Sequence, residues 1–223
     1  MQSQDITTAA AGAANVRSEA TTRLTRAMLA AGIVAGPLFI VASLVQVLTR
    51  QGFDLTRQPI SMLSLGDLGW IQIANFEVTG LLVLACAVGM RRARAGTWGP
   101  LLFGAYGVGL VAAGIFHPDP SLGFPPGAPA GMPAMSWHAV LHTVAFNVAF
   151  LSLIAACFVF ARRFAGIGRR GWAAYCAATG VAPVLLIALS AAQGGSGVPL
   201  FVMGVITSAW VAALPARLLA TER

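Results

Sequence analysis

All three histidines of this chain lie at the ends of one connector that is rich in proline and glycine. His138 and His142 are spaced i, i+4, so in a helix both imidazoles project from one face. His117 and Asp119 stand at the beginning of the connector. Imidazole nitrogens and carboxylate oxygens are ligands that zinc prefers. The spacing therefore predicts a zinc site held by the three histidines and completed by Asp119.

A structural interpretation of the same histidines stays open. His138 is next to Trp137 and would lie at a membrane interface, where rings with one polar edge collect. His142 would then bond a backbone carbonyl. One distance separates the two interpretations. If His117 lies more than about 8 Å from both His138 and His142, no single metal ion can join them.

Glu77 is a second candidate for chemistry because it lies inside an apolar run, "WIQIANFEVTGLLVLACAVGM". In a helix it is about 9 Å below Ile71, and an ionisable group at that depth needs a partner. We expect it to approach His142, which lies at a similar depth. Glu77 or Asp119 would then act as general base for a zinc-bound water. The alternative is a carboxyl near the interface that bonds a neighbouring helix or stays protonated.

The connector before that run, "RQGFDLTRQPISMLSLGDLGWIQ", supplies the candidate ligand-binding residues Arg57 and Ser61, with Ser64 as the alternative to Ser61. Arg57 can hold an anionic headgroup or a carboxylate such as Asp119 through its forked guanidinium. Ser61 and Ser64 offer hydroxyl groups in a segment typical of a short interfacial or re-entrant turn. The alternative for Arg57 is an interfacial arginine that pairs with Asp54 at the surface.

The composition indicates that these candidates belong to a membrane protein. Hydrophobic residues make up 57% of the chain and charged residues 9%, whereas soluble domains carry about 25% charged residues. The net charge of +7 comes from arginines in short clusters between apolar runs. Such clusters suit lipid headgroups and argue against a nucleic-acid partner. Cys86, Cys157 and Cys176 fall inside apolar runs and are predicted to be small buried hydrophobes.

Six apolar runs are long enough to cross a bilayer, which takes about 20 residues of helix. Backbone polar groups must be satisfied within lipid, so each run is predicted to be a helix. The predicted protein is all-α and polytopic, with a disordered tail at residues 1–22 and a six-helix transmembrane domain at residues 23–223. The predicted spans are residues 26–48, 71–90, 99–116, 137–160, 171–190 and 199–218.

The arginines predict the orientation of the bundle in the cell membrane. All but two of the 14 arginines fall on one side of the predicted spans, and Arg50 and Arg57 are the exceptions. The positive-inside rule places the arginine-rich side and both termini in the cytoplasm. The outward connectors are then residues 49–70, 117–136 and 191–198. The second of these is too rich in proline to be a helix and is predicted to cover the outer end as a stiff flap.

Three features together resemble a bacterial membrane-protein family that is catalogued as domain of unknown function number 998. They are the six spans, the segment "QPISMLSLGDLGW" before the second span, and a third span that ends "IFHPDP" and is followed by "WHAVLH". The resemblance covers about residues 26–218 and implies the fold and the membrane location. It implies no activity, since none is established for the family.

A second similarity concerns the alkaline-ceramidase and adiponectin-receptor-like membrane hydrolases. Those enzymes bind zinc through three histidines, two of them in an HxxxH motif, assisted by an Asp and a Ser. His117, Asp119, His138 and His142 occur in the same order in this chain, although no serine stands one turn before the first histidine. The similarity implies a zinc-dependent hydrolase.

Two hypotheses from different functional classes follow for a polar pocket that faces outward. In the first, the protein is a metal-dependent hydrolase of a membrane lipid or another small amphiphile. In the second, Glu77 and the histidines titrate or bind a ligand without breaking bonds. The protein would then be a non-enzymatic small-molecule or proton-coupled transporter, a sensor or a partner subunit. Stoichiometric zinc would favour the first hypothesis, and ligand- or proton-coupled behaviour without metal would favour the second.

Overall fold

A computed structural model describes the backbone of residues 2–221 and the side chains of residues 21–220. The predicted disordered tail, residues 1–22, falls almost wholly outside the fully described residues and stays a prediction. The described residues form helices joined by connectors, with no β-strand among them. The elements are α1 (Gln2–Thr49), a short 3-10 helix (Ile60–Ser64), α2 (Gly69–Arg92), α3 (Trp98–Ile115), α4 (Trp137–Gly166), α5 (Arg170–Ala192) and α6 (Gly197–Thr221).

Each α-helix contains a stretch that is long and apolar enough to cross a membrane, so the predicted all-α fold with six spans is confirmed. A clear difference from the prediction is in α4, which continues past residue 160 to Gly166. This extension carries Arg162 and Arg163. Cations near a helix C-terminus are favourable because they face the negative end of the helix dipole. The helix therefore continues beyond its apolar run.

The six helices pack as a closed ring in sequence order. Each helix contacts the next one along the chain, and α6 returns to pack against α1. Consecutive helices are antiparallel neighbours, which is the usual outcome in helical bundles. Helices on opposite sides of the ring seldom approach through their backbones, and the buried Trp210 of α6 reaches across to Phe103 of α3 and Phe160 of α4. This arrangement leaves room for a cavity between the helices.

The ring has two chemically different ends. The loop end carries the long connectors before α2 and α4, and it is the nearer end for every acidic residue with a described side chain, namely Asp54, Asp67, Glu77 and Asp119. The arginine end carries Arg23, Arg26, Arg91, Arg92, Arg94, Arg162, Arg163, Arg169, Arg170 and Arg217. The positive-inside rule favours a cytoplasmic arginine end, and that orientation stays a prediction.

Glycines allow the closest helix crossings in the ring. At the α2–α3 crossing, a Cβ built on Gly80 would lie 2.8 Å from the Gly107 carbonyl oxygen. At the α3–α4 crossing, a Cβ built on Gly109 would lie 2.7 Å from the backbone nitrogen of Ala149. Small residues let membrane helices approach through their backbones, which maximises van der Waals contact. The crossings therefore depend on the absence of a side chain at these positions.

A buried hydrogen-bond network joins α1 to α2 in the half of the ring nearer the loop end. The side-chain oxygen of Gln72 accepts from Gln46 Nε2 at 2.7 Å and from Asn75 Nδ2 at 3.3 Å. Ser43 Oγ lies 3.4 Å from the same oxygen, and all four side chains are buried. Lipid offers no partner to these groups, so their mutual bonds hold the two helices in register. Amides inside apolar runs are the sequence signal for such a network, and no role was assigned to them from the sequence.

Candidate functional site

Arg50 organises the loop end of the ring. It follows the last residue of α1, and its guanidinium donates to the carbonyl oxygens of Leu63 at 3.2 Å and Leu65 at 2.5 Å. The Cζ atom of the same guanidinium lies 5.5 Å from the centroid of the Phe124 ring. Arg50 therefore ties the connector before α2 to the proline-rich connector before α4. Sequence reasoning treated this arginine only as an outward charge.

A second tie between the two connectors passes through Gln58, whose side chain is buried. Gln58 Nε2 donates to the Leu122 carbonyl oxygen at 2.8 Å, and Gln58 Oε1 accepts from the Asp54 backbone nitrogen at 2.8 Å. The rings of Phe53 and Phe124 also meet edge to face at 5.3 Å. The proline-rich connector is thus fastened at the loop end, as a flap over the ring would be.

Asp119 and Ser136 close the proline-rich connector at its base. The Asp119 carboxylate accepts from the Ser136 backbone nitrogen at 2.7 Å and from the Ser136 hydroxyl at 2.6 Å. Ser136 is the N-cap of α4, and its hydroxyl oxygen accepts from the Ala139 backbone nitrogen at 3.2 Å. Both oxygens of Asp119 therefore help to start α4. These hydrogen bonds, and to a smaller extent the nearby His117 and His138, hold the pKa of Asp119 below its usual range.

Acid is expected to weaken the contact between Asp119 and Ser136 that closes the connector. A carboxyl whose pKa is lowered on folding stabilises the folded protein above its unfolded pKa, near about 3.9, and loses that contribution as the pH falls through the folded pKa. The midpoint of thermal unfolding should therefore drop as the pH falls below about 5. Asp119→Asn should start from a lower midpoint at pH 7 and drop less, because an amide does not titrate.

Circular dichroism of the purified full chain between pH 7 and pH 3 measures this difference. Asp67→Asn is the control for loss of a carboxylate at the same end, because Asp67 is exposed and acts on Arg50 through its charge without a hydrogen bond among the described residues. If the thermal midpoints of the wild type and Asp119→Asn fall in parallel over the whole pH range, the Asp119 carboxylate does not stabilise the connector in a pH-dependent way.

The three histidines divide into a pair and a single residue. The rings of His117 and His138 stack at 5.3 Å with 24° between their planes, and His138 also touches Trp137 at 3.8 Å between centroids. His142 lies one turn deeper, where its Nδ1 is 2.7 Å from the Phe116 carbonyl oxygen. A carbonyl only accepts, so in the neutral ring Nδ1 carries the proton and Nε2 is left as an acceptor. These contacts match the structural interpretation of both His138 and His142.

The predicted zinc site is assembled only in part. His117 and His138 come together, whereas Asp119 engages both oxygens with Ser136 and His142 engages Nδ1 with the backbone. Among the residues with described side chains, no group of three or more His, Cys, Asp or Glu could hold a metal ion. Zinc therefore stays a prediction, without support from these contacts.

Glu77 lies on α2 and faces α3. A Cβ built on Gly114 of α3 would be 2.8 Å from the Glu77 Cγ, and the Glu77 side chain is half-buried. The α2 residue that meets His142 is Phe76, with 6.4 Å between ring centroids. One step along a helix rotates the side chain by about 100°. Similar depth alone does not establish a contact between Glu77 and His142, so their approach and the role of Glu77 as general base both stay predictions.

Arg57 is exposed and its contacts remain within its own connector. Its backbone nitrogen donates to the Asp54 carbonyl oxygen at 3.0 Å. The pKa of Asp54 lies below its ordinary value, first because Thr56 donates to the carboxylate and to a smaller extent because Arg57 is near. These observations favour surface pairing with Asp54. A headgroup or Asp119 as the partner of Arg57 stays a prediction.

Two cavities meet where the connectors cover the ring. The vestibule, about 260 Å³, lies against the proline-rich connector, and the inner cavity, about 70 Å³, lies among the helices. Pro59, Ser61 and His142 belong to the walls of both cavities. Ser61, a predicted ligand-binding residue, therefore stands at the junction between them. His142, whose Nδ1 lies 2.7 Å from the Phe116 carbonyl oxygen, belongs to the same junction.

The two cavities differ in chemistry. The vestibule wall includes the Asp119 carboxylate and the thioethers of Met62, Met132 and Met135. The inner cavity is mainly aromatic and aliphatic, so the pocket expected to be polar is largely apolar. Its aromatic residues are Phe39, Phe76, Tyr106, Phe146 and Phe150. Together the cavities form an amphipathic site, more polar near the loop end and almost wholly apolar within the ring.

A family model matches most of the chain. It is described as "Protein of unknown function (DUF998)", and it matches residues 33–217. No curated protein and no solved structure gives a significant match. The matched range includes both long connectors of the loop end and every residue that lines the inner cavity. The chain therefore belongs to the DUF998 family of proteins of unknown function.

Proposed function

We propose that this protein binds a small amphiphile at the loop end without transforming it, as a transporter, sensor or partner subunit would. The polar head occupies the vestibule and the apolar part enters the inner cavity. The observation that carries the proposal is the shared wall formed by Pro59, Ser61 and His142. Ligand sites are typically concave and mostly apolar, with a few polar groups that fix orientation.

The inner cavity suits a short apolar segment. In the same measure of volume one water needs about 10–15 Å³, so a cavity of about 70 Å³ accepts several groups of that size. Its walls combine aromatic rings with the small residues Gly109, Ala113 and Gly204. No charged side chain lines it among the described residues. An alkyl or isoprenoid segment fits these walls better than a polar group does.

The vestibule favours a neutral or cationic head. Asp119 is the charged residue in its wall, and no arginine lines it among the described residues. Met132 and Met135 supply flexible thioethers that can adapt to an irregular ligand. At the junction, Nε2 of His142 can accept a hydrogen bond and the Ser61 hydroxyl can donate or accept one. An amphiphile whose hydrogen-bonding group lies next to its apolar chain could therefore bond Ser61 and His142 at the junction while the chain occupies the inner cavity.

Bond cleavage has less support than binding. Hydrolysis needs a general base within hydrogen-bond reach of an attacking water. Asp119 is committed to the N-cap of α4, and Glu77 belongs to neither cavity wall. The hydrolase hypothesis therefore stays a prediction, and non-enzymatic binding is the function that the geometry favours.

Filling the inner cavity is expected to abolish binding of a single-chain probe. Ala113 is buried and lines the cavity, so Ala113→Leu replaces a methyl by an isobutyl group that occupies the space. Decyltrimethylammonium should raise the thermal midpoint of the wild-type protein in lipid nanodiscs, since a ligand of the folded state stabilises it. We expect at least a tenfold loss of apparent affinity in Ala113→Leu, equivalent to about 1.4 kcal/mol.

Ala105→Leu is the matched control, because Ala105 lies on the same helix and lines an outer groove rather than the inner cavity. It should bind the probe like the wild type. Decyl sulfate, which has an anionic head, should bind more weakly than decyltrimethylammonium. Equal midpoint shifts in both leucine variants would mean that the probe acts through the surrounding lipid, and the proposed site would be wrong.

A further inference from the structure

We infer that the arginine end carries a binding site for the phosphate headgroup of an anionic membrane lipid. The site is an open groove of about 600 Å³ where α4 passes into α5. It lies at the opposite end of the ring from the vestibule, so it does not depend on the proposed amphiphile site. Its walls are Gly168, Arg169, Arg170, Gly171, Trp172 and Tyr175.

A tight turn places the two arginines of the groove side by side. Gly168 has a φ of +73°, which a glycine adopts without strain. The next backbone nitrogen, that of Arg169, donates to the Phe164 carbonyl oxygen at 2.8 Å and so completes the end of α4. Helix α5 begins at Arg170 without any further linker. Both guanidinium groups are consequently fixed to one short segment and exposed at the membrane boundary.

An aromatic pair forms the part of the groove nearer the membrane. Trp172 packs against the buried Phe164 with 5.6 Å between ring centroids, which holds it in place. Tyr175 meets Trp172 edge to face at 5.7 Å. Tryptophan and tyrosine favour the headgroup level of a bilayer because each ring has an apolar body and a polar edge. A Cβ built on Gly171 meets no atom within 4 Å, so the groove stays open in front of this pair.

No acidic side chain in the described part of the protein lies near the positive charge of the groove. Asp54, Asp67, Glu77 and Asp119 are all nearer the loop end. Neither guanidinium of the groove has an ion pair or hydrogen bond among the described residues. A guanidinium binds phosphate oxygens through two parallel hydrogen bonds. Two adjacent guanidinium groups beside an interfacial aromatic pair therefore match a phosphate that is attached to a lipid.

The lipid source is favoured over a soluble phosphate by the position of the aromatic residues. Trp172 and Tyr175 belong to the first turns of the α5 span. The glycerol and upper acyl carbons of a lipid would contact these rings while its phosphate meets Arg169 and Arg170. A soluble phosphate has no apolar part that would contact the aromatic pair.

Native mass spectrometry of the full chain in detergent, titrated with dioleoylphosphatidylglycerol or dioleoylphosphatidylcholine, tests the site. The variant Arg169→Gln/Arg170→Gln should retain the anionic lipid at least tenfold more weakly than the wild type. The matched control is Arg91→Gln/Arg92→Gln, which removes two exposed adjacent charges at the same end and outside the groove. It should change retention by less than about threefold, as expected for charges that act only through the general field.

Three outcomes would overturn the inference. Equal losses in the two double variants would show that the arginine end attracts anionic lipid diffusely. Equal retention of phosphatidylcholine and phosphatidylglycerol by the wild type would show that headgroup charge is not recognised. Displacement of the lipid by millimolar inorganic phosphate would assign the groove to a soluble phosphate compound. All three leave the amphiphile site untouched, since that site is tested with a different probe and with variants of α3.

Discussion

Replacing Gly109 by alanine is expected to destabilise the folded ring by about 3 kcal/mol, at the upper end of the usual cost of overpacking. The added Cβ would lie 2.7 Å from both the nitrogen and the Cβ of Ala149 and 2.8 Å from its Cα. These are mainly backbone atoms of α4, which cannot rotate away as a side chain can. The two helices must therefore move apart, and Tyr106 and Leu110 lose packing with them. Unfolding of the purified protein by sodium dodecyl sulfate in mixed micelles measures the loss.

Gly104→Ala is the control on the same helix. A Cβ built on Gly104 meets only the Ala87 Cβ at 3.5 Å, an ordinary van der Waals contact. The stability of this variant should be close to that of the wild type or slightly higher, because alanine is the better helix former. A similar loss in both variants would show that the cost comes from replacing glycine in α3 and not from the α3–α4 crossing.

The sequence was sufficient to predict the six spans and the two charged ends of the ring. Both follow from strong, local physical terms: the length of helix needed to cross hydrocarbon and the cost of placing arginine within it. Within α3, Gly107 and Gly109 lie at close helix crossings. Gly104 belongs to the same run but faces a groove outside the ring. Composition identifies a packing helix, whereas only the crossing geometry identifies the residue in contact.

The site could be predicted only in its outline. The spacing of His138 and His142 correctly placed them on one helix, but the two residues differ by one turn in depth. His117 stacks on His138, whereas Nδ1 of His142 bonds the backbone, so a metal shared by all three histidines stays a prediction without a supporting contact. Phe76 is an α2 residue whose ring meets His142, and the approach of Glu77 to His142 stays a prediction. The depth of a residue within a span can be predicted from the sequence. The direction in which its side chain points depends on how the helices pack.

The connectors were the least predictable part, because contacts distant in sequence fix them. Gln58 bonds Leu122 across the loop end, and Arg50 reaches Leu63, Leu65 and Phe124. No periodicity or motif in the sequence predicts such contacts. A buried glutamine and one arginine join the two connectors, and the sequence analysis gave neither of them this role.

Arg50→Met is expected to loosen both connectors and to lower the free energy of unfolding by about 2–3 kcal/mol. Methionine keeps most of the aliphatic length but removes two charge-assisted hydrogen bonds, which contribute about 1.5–3 kcal/mol each when buried and less for a partly exposed group. The carbonyl groups of Leu63 and Leu65 lose their donor, and the Phe124 ring loses the cation above it. Hydrogen exchange should accelerate at residues 62–66 and 121–124, while the helices remain protected.

Arg57→Met is the matched control, because it removes an arginine of the same connector that is exposed and whose guanidinium makes no hydrogen bond among the described residues. It should change neither the unfolding midpoint nor the exchange rates. If Arg50 builds the vestibule, Arg50→Met should also weaken decyltrimethylammonium binding several-fold while Arg57→Met leaves it unchanged. Faster exchange with unaltered probe binding would separate the two roles: Arg50 would then fasten the connectors, and the amphiphile would have to bind elsewhere.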